Sequence, residues 1–227
     1  MHVVPATSQC RLPRSLIMQK TRSRALQVRA FCMITDVDSI SGGAGRGRLQ
    51  RVVVLRPQLS EDLHLLTGGE SPFDDFGPTA ARTAPAGCDL EDSGALTVLD
   101  DDGEVAGEVS WHWQTRRWGP TAASSCPMIG VWLRPAHRGL GIGSTAQRQL
   151  VELLFAHTTA HRVEAHTDVE NVAEQRSLEK AGLLREGVVR GGQWRDGAFR
   201  DGVLYAVLRT DLRRTGPAGG GTSAGRG

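Results

Sequence analysis

The sequence predicts a mixed α/β domain over residues 50–213, and three observations lead to this prediction. The second half of the chain alternates strand-like and helix-like segments, which requires a parallel crossover connection. Two Asp-Gly turns, ending at Gly103 and Gly197, separate strand-like segments and predict antiparallel hairpins. No segment approaches the roughly 18 consecutive apolar residues of a membrane span, so a membrane protein is excluded.

The first half of the domain carries three predicted strands. The first is a β-branched run (RVVVL) that Pro57 is expected to end, and two more flank the turn DDDG. Leu59, Leu63 and Leu66 recur at helical spacing and predict a helix, which is followed by a loop rich in Gly, Pro and Asp. In chain order the ranges are 51–55 (strand), 59–66 (helix), 67–93 (loop), 96–99 (strand) and 104–113 (strand).

The second half carries the predicted crossover and a second hairpin. Ser144 and Gln147 have the spacing of a capping box, which predicts a helix that begins near Ser144. Gly182 is well placed to supply the left-handed cap that ends the next helix. The ranges are 128–133 (strand), 144–157 (helix), 162–167 (strand), 171–181 (helix), and 187–194 and 199–208 (a hairpin).

The net charge of +2 conceals an asymmetry along the chain. Residues 1–50 carry eight Lys or Arg against two Asp, whereas residues 51–213 carry 17 basic and 23 acidic side chains. This acidic body argues against a nucleic-acid partner. We expect residues 1–49 to be a basic, disordered arm that ends in a Gly-rich linker, and residues 214–227 to be a disordered Gly-rich tail. An upstream stretch before a true start at Met33, or a targeting segment, remains an alternative for the arm.

The four cysteines are widely separated in the sequence. They form no CxxC pair and no ladder of zinc-ligand spacing, which excludes a zinc finger and a disulfide scaffold. We therefore expect a cytoplasmic protein that binds no metal.

The most informative segment is a glycine-rich loop between a strand and a helix. Gly139, Gly141 and Gly143 follow Arg138 at a spacing of two residues. Such a loop exposes backbone N–H groups at the positive end of a helix, so it predicts an anion cradle suited to a diphosphate. The same glycine spacing recurs at residues 43–47, but no helix follows that copy, and only the second copy has the required context.

Residues 129–146 (IGVWLRPAHRGLGIGSTA) resemble motif A of the Gcn5-related N-acetyltransferases (GNAT), with its pyrophosphate loop R-x-x-G-x-G/A. Residues 168–190, followed by Arg200, Asp201 and Tyr205, are similar to the ribosomal-protein and N-terminal alanine acetyltransferase (RimJ/RimL-like) subgroup. The resemblance covers about residues 50–213. It implies the GNAT fold, a mixed and mostly antiparallel central sheet with one splayed parallel pair of strands, flanked by helices.

The resemblance also implies a binding site for acetyl-CoA as cosubstrate. Backbone groups of two strand residues pair with the pantetheine arm, the N–H groups of the glycine loop hold the diphosphate, and an asparagine bonds the thioester end. The implied residues are Val131, Leu133, Arg138, Gly139, Leu140, Gly141, Ile142, Gly143, Ser144 and Asn171.

The catalytic acid and base do not transfer directly from the family pattern. The subgroup's serine, the proposed donor of a proton to sulfur, is replaced here by Glu174, and Ser177 one helical turn later is a candidate substitute. The position that some members use as a base is Gln193. An α-amine with a pKa near 8 needs little help to lose its proton, so a dedicated base is not required. The remaining candidate bases are Glu108, His112, His166, Asp168 and Asp201.

The predicted function is acetyl transfer from acetyl-CoA to a primary amine, in the first instance a protein N-terminal α-amine, by direct attack in a ternary complex. The alternatives are a small amine acceptor, such as an aminoglycoside, polyamine or amino acid derivative, and a non-catalytic acyl-CoA-binding protein. The segment Phe73-Asp74-Asp75-Phe76 lies where the family places its acceptor loops, and its two acids suit a cationic amine. We expect a monomer or homodimer with no nucleic-acid or membrane partner.

Overall fold

The computed structural model of the chain describes residues 52–67, 71–77, 82–114 and 119–214. The predicted arm (1–49) lies outside these ranges, and so does the predicted tail (214–227) except for Arg214, which ends the last helix. The strands are β1 (Val54–Pro57), β2 (Gly94–Leu99), β3 (Val105–Trp113), β4 (Pro127–Leu133), β5 (Arg162–Asp168), β6 (Leu184–Arg195) and β7 (Ala198–Leu208). The α-helices are α1 (Ile142–His157), α2 (Val172–Ala181) and α3 (Arg209–Arg214), and short 3₁₀ helices span Ser60–Leu65, Ala122–Ser124 and Pro135–His137.

The strands form one sheet in the order β1-β2-β3-β4-β5-β7-β6. Every neighbouring pair is antiparallel except β4 and β5, which run parallel and are joined by α1. The predicted mixed sheet with one parallel pair is therefore confirmed. The crossover follows from sequence, because parallel neighbours need a long connection and α1 provides it.

Two edge strands differ in length from the prediction. β1 extends through Pro57, which pairs with Leu96 at the sheet edge, where a missing N–H costs no ladder bond. β6 begins at Leu184, three residues earlier than predicted, and its pairing with β7 is interrupted twice by irregularities of register. Such bulges obscure the alternation of apolar and polar residues from which strand length is predicted.

The segment predicted to be helical, residues 59–66, is helical over Ser60–Leu65, but it is not an α-helix. The segment forms a 3₁₀ helix, and its organising residue is Asp62 rather than the leucines. The Asp62 carboxylate accepts hydrogen bonds from Arg56 at 2.6 and 2.7 Å, from the Leu59 N–H at 2.8 Å and from the Thr97 hydroxyl at 2.8 Å. A buried carboxylate needs such partners, and meeting that need bends the chain into a tight turn.

The start of α1 also differs from the prediction. The helix begins at Ile142, with Gly141 as its N-cap in the left-handed region (φ 87°), and no side chain caps it. Ser144 instead donates its hydroxyl to the Gly141 carbonyl, and Gln147 is fully buried against α2, so the predicted capping box is wrong. The left-handed Gly182 at the end of α2 is confirmed (φ 98°).

The hydrophobic core lies between the sheet and the helices. α1 contributes Ala146, Leu150 and Leu154, all fully buried, and α2 contributes Leu178. α1 packs against β1, β3 and β4, and this packing fixes its N-terminus beside the end of β4. Of the helices described between residues 52 and 214, none is both long and apolar enough to cross a bilayer.

Candidate active site

The parallel strands β4 and β5 separate soon after they begin. They pair only at Met128 with Glu164 and at Ile129 with Ala165, and the later residues of both strands have no partner across the gap. The Arg134 N–H donates to the Ala106 carbonyl at the start of β3. Because successive residues of a strand direct their N–H and C=O groups to opposite sides, Val131 and Leu133 direct theirs away from β3 and into the gap. The gap therefore offers free strand hydrogen bonds to an extended ligand.

The glycine-rich loop of residues 138–144 connects the end of β4 to α1. Gly139 (φ 73°) and Gly141 (φ 87°) both adopt left-handed backbone conformations that other residues rarely take. The Arg138 Nε donates to the Leu133 carbonyl at 2.8 Å, which holds the loop against the end of the strand. The loop is thus a well-defined turn, and its backbone conformation requires glycine at positions 139 and 141.

The N–H groups of residues 139–144 form a row of unused donors. Within the described part of the chain, no backbone or side-chain group accepts a hydrogen bond from any of these six N–H groups. Several belong to the first turn of α1, where helix geometry leaves N–H groups unpaired and the helix dipole is positive. The loop therefore has the donors and the charge of an anion cradle, as the glycine spacing predicts.

A cavity of about 750 Å³ opens between the separated ends of β4 and β5. Of the residues predicted for the site, Val131, Asn171 and Glu174 line it. The glycine-rich loop, Leu133 and Ser177 do not, so the anion cradle and the cavity are neighbouring compartments joined by the end of β4. The full lining comprises Leu63, Leu66, Thr67, Phe73, Asp74, Phe76, Arg82, Glu108, Ser110, Ile129, Gly130, Val131, Trp132, Ala165, His166, Thr167, Asp168, Asn171, Glu174 and Gln193.

Asn171 has a structural role that sequence reasoning missed. It is the N-cap of α2, and its Oδ1 accepts a hydrogen bond from the Glu174 N–H at 3.2 Å. Among the described residues, no acceptor lies within hydrogen-bond distance of its amide nitrogen. Asn171 therefore starts α2 and keeps an N–H₂ group at the cavity wall.

Glu174 and Ser177 meet through the buried side chain of Gln147. The Gln147 amide donates to Glu174 Oε1, and the Ser177 hydroxyl donates to Gln147 Oε1 at 2.9 Å. Burial raises the pKa of Glu174 to about 7, although the hydrogen bond from Gln147 opposes the rise. Glu174 is therefore a cavity carboxyl that is about half protonated at neutral pH, and Ser177 fixes the amide that holds it.

The structure brings three of the five candidate bases into the cavity. Glu108, His166 and Asp168 line it, whereas His112 and Asp201 do not. Burial lowers the pKa of His166, with partial compensation by the charge of Asp168. The imidazole lies directly over β7, so that a Cβ added to Gly202 would fall 1.7 Å from its Nε2. Burial thus favours the neutral form of His166, and the lack of a side chain at Gly202 leaves room for the imidazole.

Arg195 ties residues 72 and 73 to the sheet, and sequence reasoning did not find it. Its Nη2 donates to Asp168 at 2.6 Å, its Nη1 donates to the Pro72 carbonyl, and its guanidinium lies 5.0 Å from the centre of the Phe73 ring. Arg195 and Asp168 are almost completely buried. Arg195 therefore links Pro72 and Phe73 to Asp168 on β5, which is 27 residues away from Arg195 in sequence.

Residues 78–184 match the model of the acetyltransferase (GNAT) domain. The match includes the parallel pair, the glycine-rich loop and α2, and the sheet has the order and direction of strands expected of that fold. The described part of the chain therefore has the GNAT fold, and residues 78–184 are similar to the acetyltransferase domain of that name.

One curated protein and two solved structures illustrate the similarity. The probable N-acetyltransferase YjcK of Bacillus subtilis (strain 168) is 37% identical over 89 residues, which are 39% of this chain and 45% of that protein. The chain thus matches less than half the length of this relative. Mycobacterium smegmatis RimJ, solved with CoA-disulfide, is 21% identical with a TM-score of 0.54, over 70% of this chain and 83% of RimJ. The Vibrio cholerae spermidine N-acetyltransferase, solved with CoA and spermine, is 18% identical with a TM-score of 0.56, over 71% of this chain and 98% of that one. At these identities the two structures establish the fold alone.

Proposed function

We propose that this chain is an acetyl-CoA-dependent N-acetyltransferase that transfers an acetyl group to a primary amine. The observation that carries the proposal is the row of six unused N–H groups at residues 139–144, placed beside the open edge of β4. Together they match a ligand with an anionic diphosphate followed by an extended amide-containing arm. The GNAT domain match supports the same ligand.

Three parts of the structure would hold acetyl-CoA. The N–H groups of Gly139, Leu140, Gly141, Ile142, Gly143 and Ser144 would bind the diphosphate, with the charge of Arg138 nearby. The backbone groups of Val131 and Leu133 would pair with the amides of the pantetheine arm, and the Asn171 amide would donate to its thioester end. When bound, acetyl-CoA supplies an activated acetyl group, and this chain supplies position and proton transfer.

The proposed reaction needs one proton acceptor and one proton donor in the cavity. The neutral amine attacks the thioester carbonyl, so that a C–N bond forms, the C–S bond breaks, and coenzyme A leaves as a thiolate. His166 takes the proton from the amine, since Glu108 and Asp168 already bind guanidinium groups. The Glu174 carboxyl gives a proton to the sulfur. Gln147 and Ser177 keep Glu174 in position, so Ser177 is a positioning residue.

The resemblance to the RimJ/RimL-like subgroup favours a protein N-terminal α-amine as acceptor. The cavity is open to the surface and large enough to admit the first residues of a peptide. A small polycationic amine is the second candidate, because the carboxylates of Asp74, Glu108, Asp168 and Glu174 all line the cavity.

Thermal unfolding with acetyl-CoA, coenzyme A and ATP tests the cofactor assignment. Both coenzyme A species should raise the Tm by several degrees at millimolar concentration, whereas ATP should not. Gly141→Glu should abolish the rise. Gly182→Glu is the matched control, because Gly182 is also exposed and left-handed (φ 98°) and its Cβ would meet no atom within 4 Å.

Release of free coenzyme A thiol then tests the reaction. Peptides with free N-termini and polyamines are compared as acceptors, and peptides should react faster if the first candidate is correct. No Tm shift with either coenzyme A species would contradict the proposed function. Binding without turnover of any amine would leave only an acyl-CoA-binding protein.

A further inference from the structure

Asp74 differs from the other carboxylates that line the cavity. Glu108 is paired with Arg82 at 2.7 Å, Asp168 is paired with Arg195 at 2.6 Å, and Glu174 is held by a neutral amide. In the described ranges no Lys, Arg or His side chain lies within ion-pair distance of Asp74. Asp74 is therefore a cavity carboxylate that no cationic side chain of the described residues neutralises.

The Asp74 side chain is held in a defined place. The indole N–H of Trp132 on β4 donates to its Oδ2 at 3.3 Å. Its own N–H donates to the Ser71 carbonyl at 3.1 Å, and its carbonyl accepts from the Phe76 N–H at 3.1 Å. The Asp196 N–H also donates to the Asp75 carbonyl at 2.9 Å, which joins this segment to the β6–β7 turn. A carboxylate that is held in place in this way, yet has no cationic partner among the residues that the structure describes, is suited to a ligand that brings a positive charge.

Aromatic side chains line the same cavity as this carboxylate. Phe73, Phe76 and Trp132 line the cavity together with Asp74. Aromatic faces attract ammonium and guanidinium groups and also cover methylene chains. This part of the cavity thus combines a negative charge with surfaces that favour an alkyl cation over a free metal ion or a neutral polar group.

We propose that Asp74 is a binding subsite for a second positive charge on the acceptor. This proposal rests on the proposed function, because the first amine of the acceptor is the one that is acetylated. The acceptor class is a primary amine that carries another ammonium or guanidinium group, and the aromatic rings cover the carbon chain between the two. Charge complementarity at Asp74 then determines which amines are used efficiently.

Two matched pairs of acceptors test the subsite, since the members of each pair differ in one charge. The first pair is 1,5-diaminopentane and pentylamine, and the second is a tetrapeptide with Lys or with Gln at its second position. The value of kcat/KM should be higher for the dication in whichever pair is acetylated. Asp74→Asn should lower kcat/KM for that dication by roughly 10- to 100-fold, the range for losing a hydrogen bond to a charged partner. The variant should leave the singly charged member nearly unchanged.

Asp75→Asn is the matched control for this substitution. Asp75 is the adjacent acid, is exposed, and uses its carboxylate to accept from the Gly77 N–H at 3.1 Å rather than to line the cavity. It should leave kcat/KM unchanged for both members of each pair. Turnover that is equally fast for both members and insensitive to Asp74→Asn would overturn the subsite alone. No turnover of any of the four amines would instead contradict the proposed function on which it rests.

Discussion

Replacing Arg195 with Met tests how the cavity is assembled. The substitution keeps an unbranched side chain but removes the ion pair with Asp168, the hydrogen bond to the Pro72 carbonyl and the contact with the Phe73 ring. Asp168 then remains almost fully buried without its cation. Removing one partner of a buried ion pair costs about 3–5 kcal/mol, and we expect a loss of unfolding free energy in that range at pH 7.

The sign of the pH dependence gives a sharper test. In the native chain burial raises the pKa of Asp168, but the hydrogen bonds from Arg195 and the Glu170 N–H outweigh it and hold the pKa below its usual value. The stability that the Asp168–Arg195 pair contributes is therefore present above the usual pKa of an aspartate, and it is lost as pH falls through the lowered pKa of Asp168. Without Arg195 the burial effect dominates and raises the pKa of Asp168, so the variant loses stability as pH rises above about 4. The destabilisation should therefore be larger at pH 7 than at pH 5.

Urea unfolding of both proteins at pH 5 and pH 7 measures this difference. Arg200→Met is the control, because Arg200 pairs at 3.5 Å with the largely exposed Asp196 and contributes less than Arg195 to the low pKa of Asp168, so its loss should cost no more than about 1 kcal/mol. In kinetics, Arg195→Met should raise the KM for the amine more than the KM for acetyl-CoA, since Pro72 and Phe73 at the cavity lose their contacts with Arg195. Equal losses of stability at both pH values, or a loss no greater than that of Arg200→Met, would refute the buried-pair reasoning.

Two further predictions concern the proposed acid and base. In Glu174→Gln, kcat should fall by roughly 100-fold. With Glu174 present, ionisation of its carboxyl, whose pKa is about 7, should make kcat decline above pH 7. This decline should disappear in the variant. A pH profile of kcat measures both, and a variant that kept the native decline would show that another group titrates. Gly202→Ala should displace the His166 imidazole, whose Nε2 lies 1.7 Å from the added carbon. It should lower kcat while coenzyme A binding, measured by calorimetry, is retained, and native kcat would contradict a role for His166.

The glycine-rich loop and its position between a strand and a helix could be predicted from the sequence because their determinants are local. Gly139 and Gly141 are close in the chain, and strand, loop and helix follow one another. The exact start of α1 could not be predicted, because the spacing of Ser144 and Gln147 predicts Ser144 as the N-cap, whereas the left-handed Gly141 is the N-cap in the structure. The leucine spacing of residues 59–66 was misleading for a different reason, since the buried Asp62 network decides the local conformation there.

The acceptor side depends on contacts between distant parts of the chain. Arg195 and Pro72 are 123 residues apart in sequence, and Trp132 and Asp74 are 58 apart, so no local pattern reports either contact. In the sequence, Glu174 stands out only because it departs from the family pattern. Its raised pKa arises from burial against Gln147 and the cavity wall, which the order of residues along the chain does not reveal.

In the proposed complex the N–H groups of residues 139–144 bind the diphosphate of coenzyme A. Two-dimensional ¹H–¹⁵N spectra of the assigned chain test it directly, with coenzyme A and with pantetheine, which has the arm but no diphosphate. Coenzyme A should shift the amide resonances of residues 139–144 as well as those of Val131 and Leu133, whereas pantetheine should shift only the latter two. Shifts of the loop amides by both ligands or by neither would contradict the account.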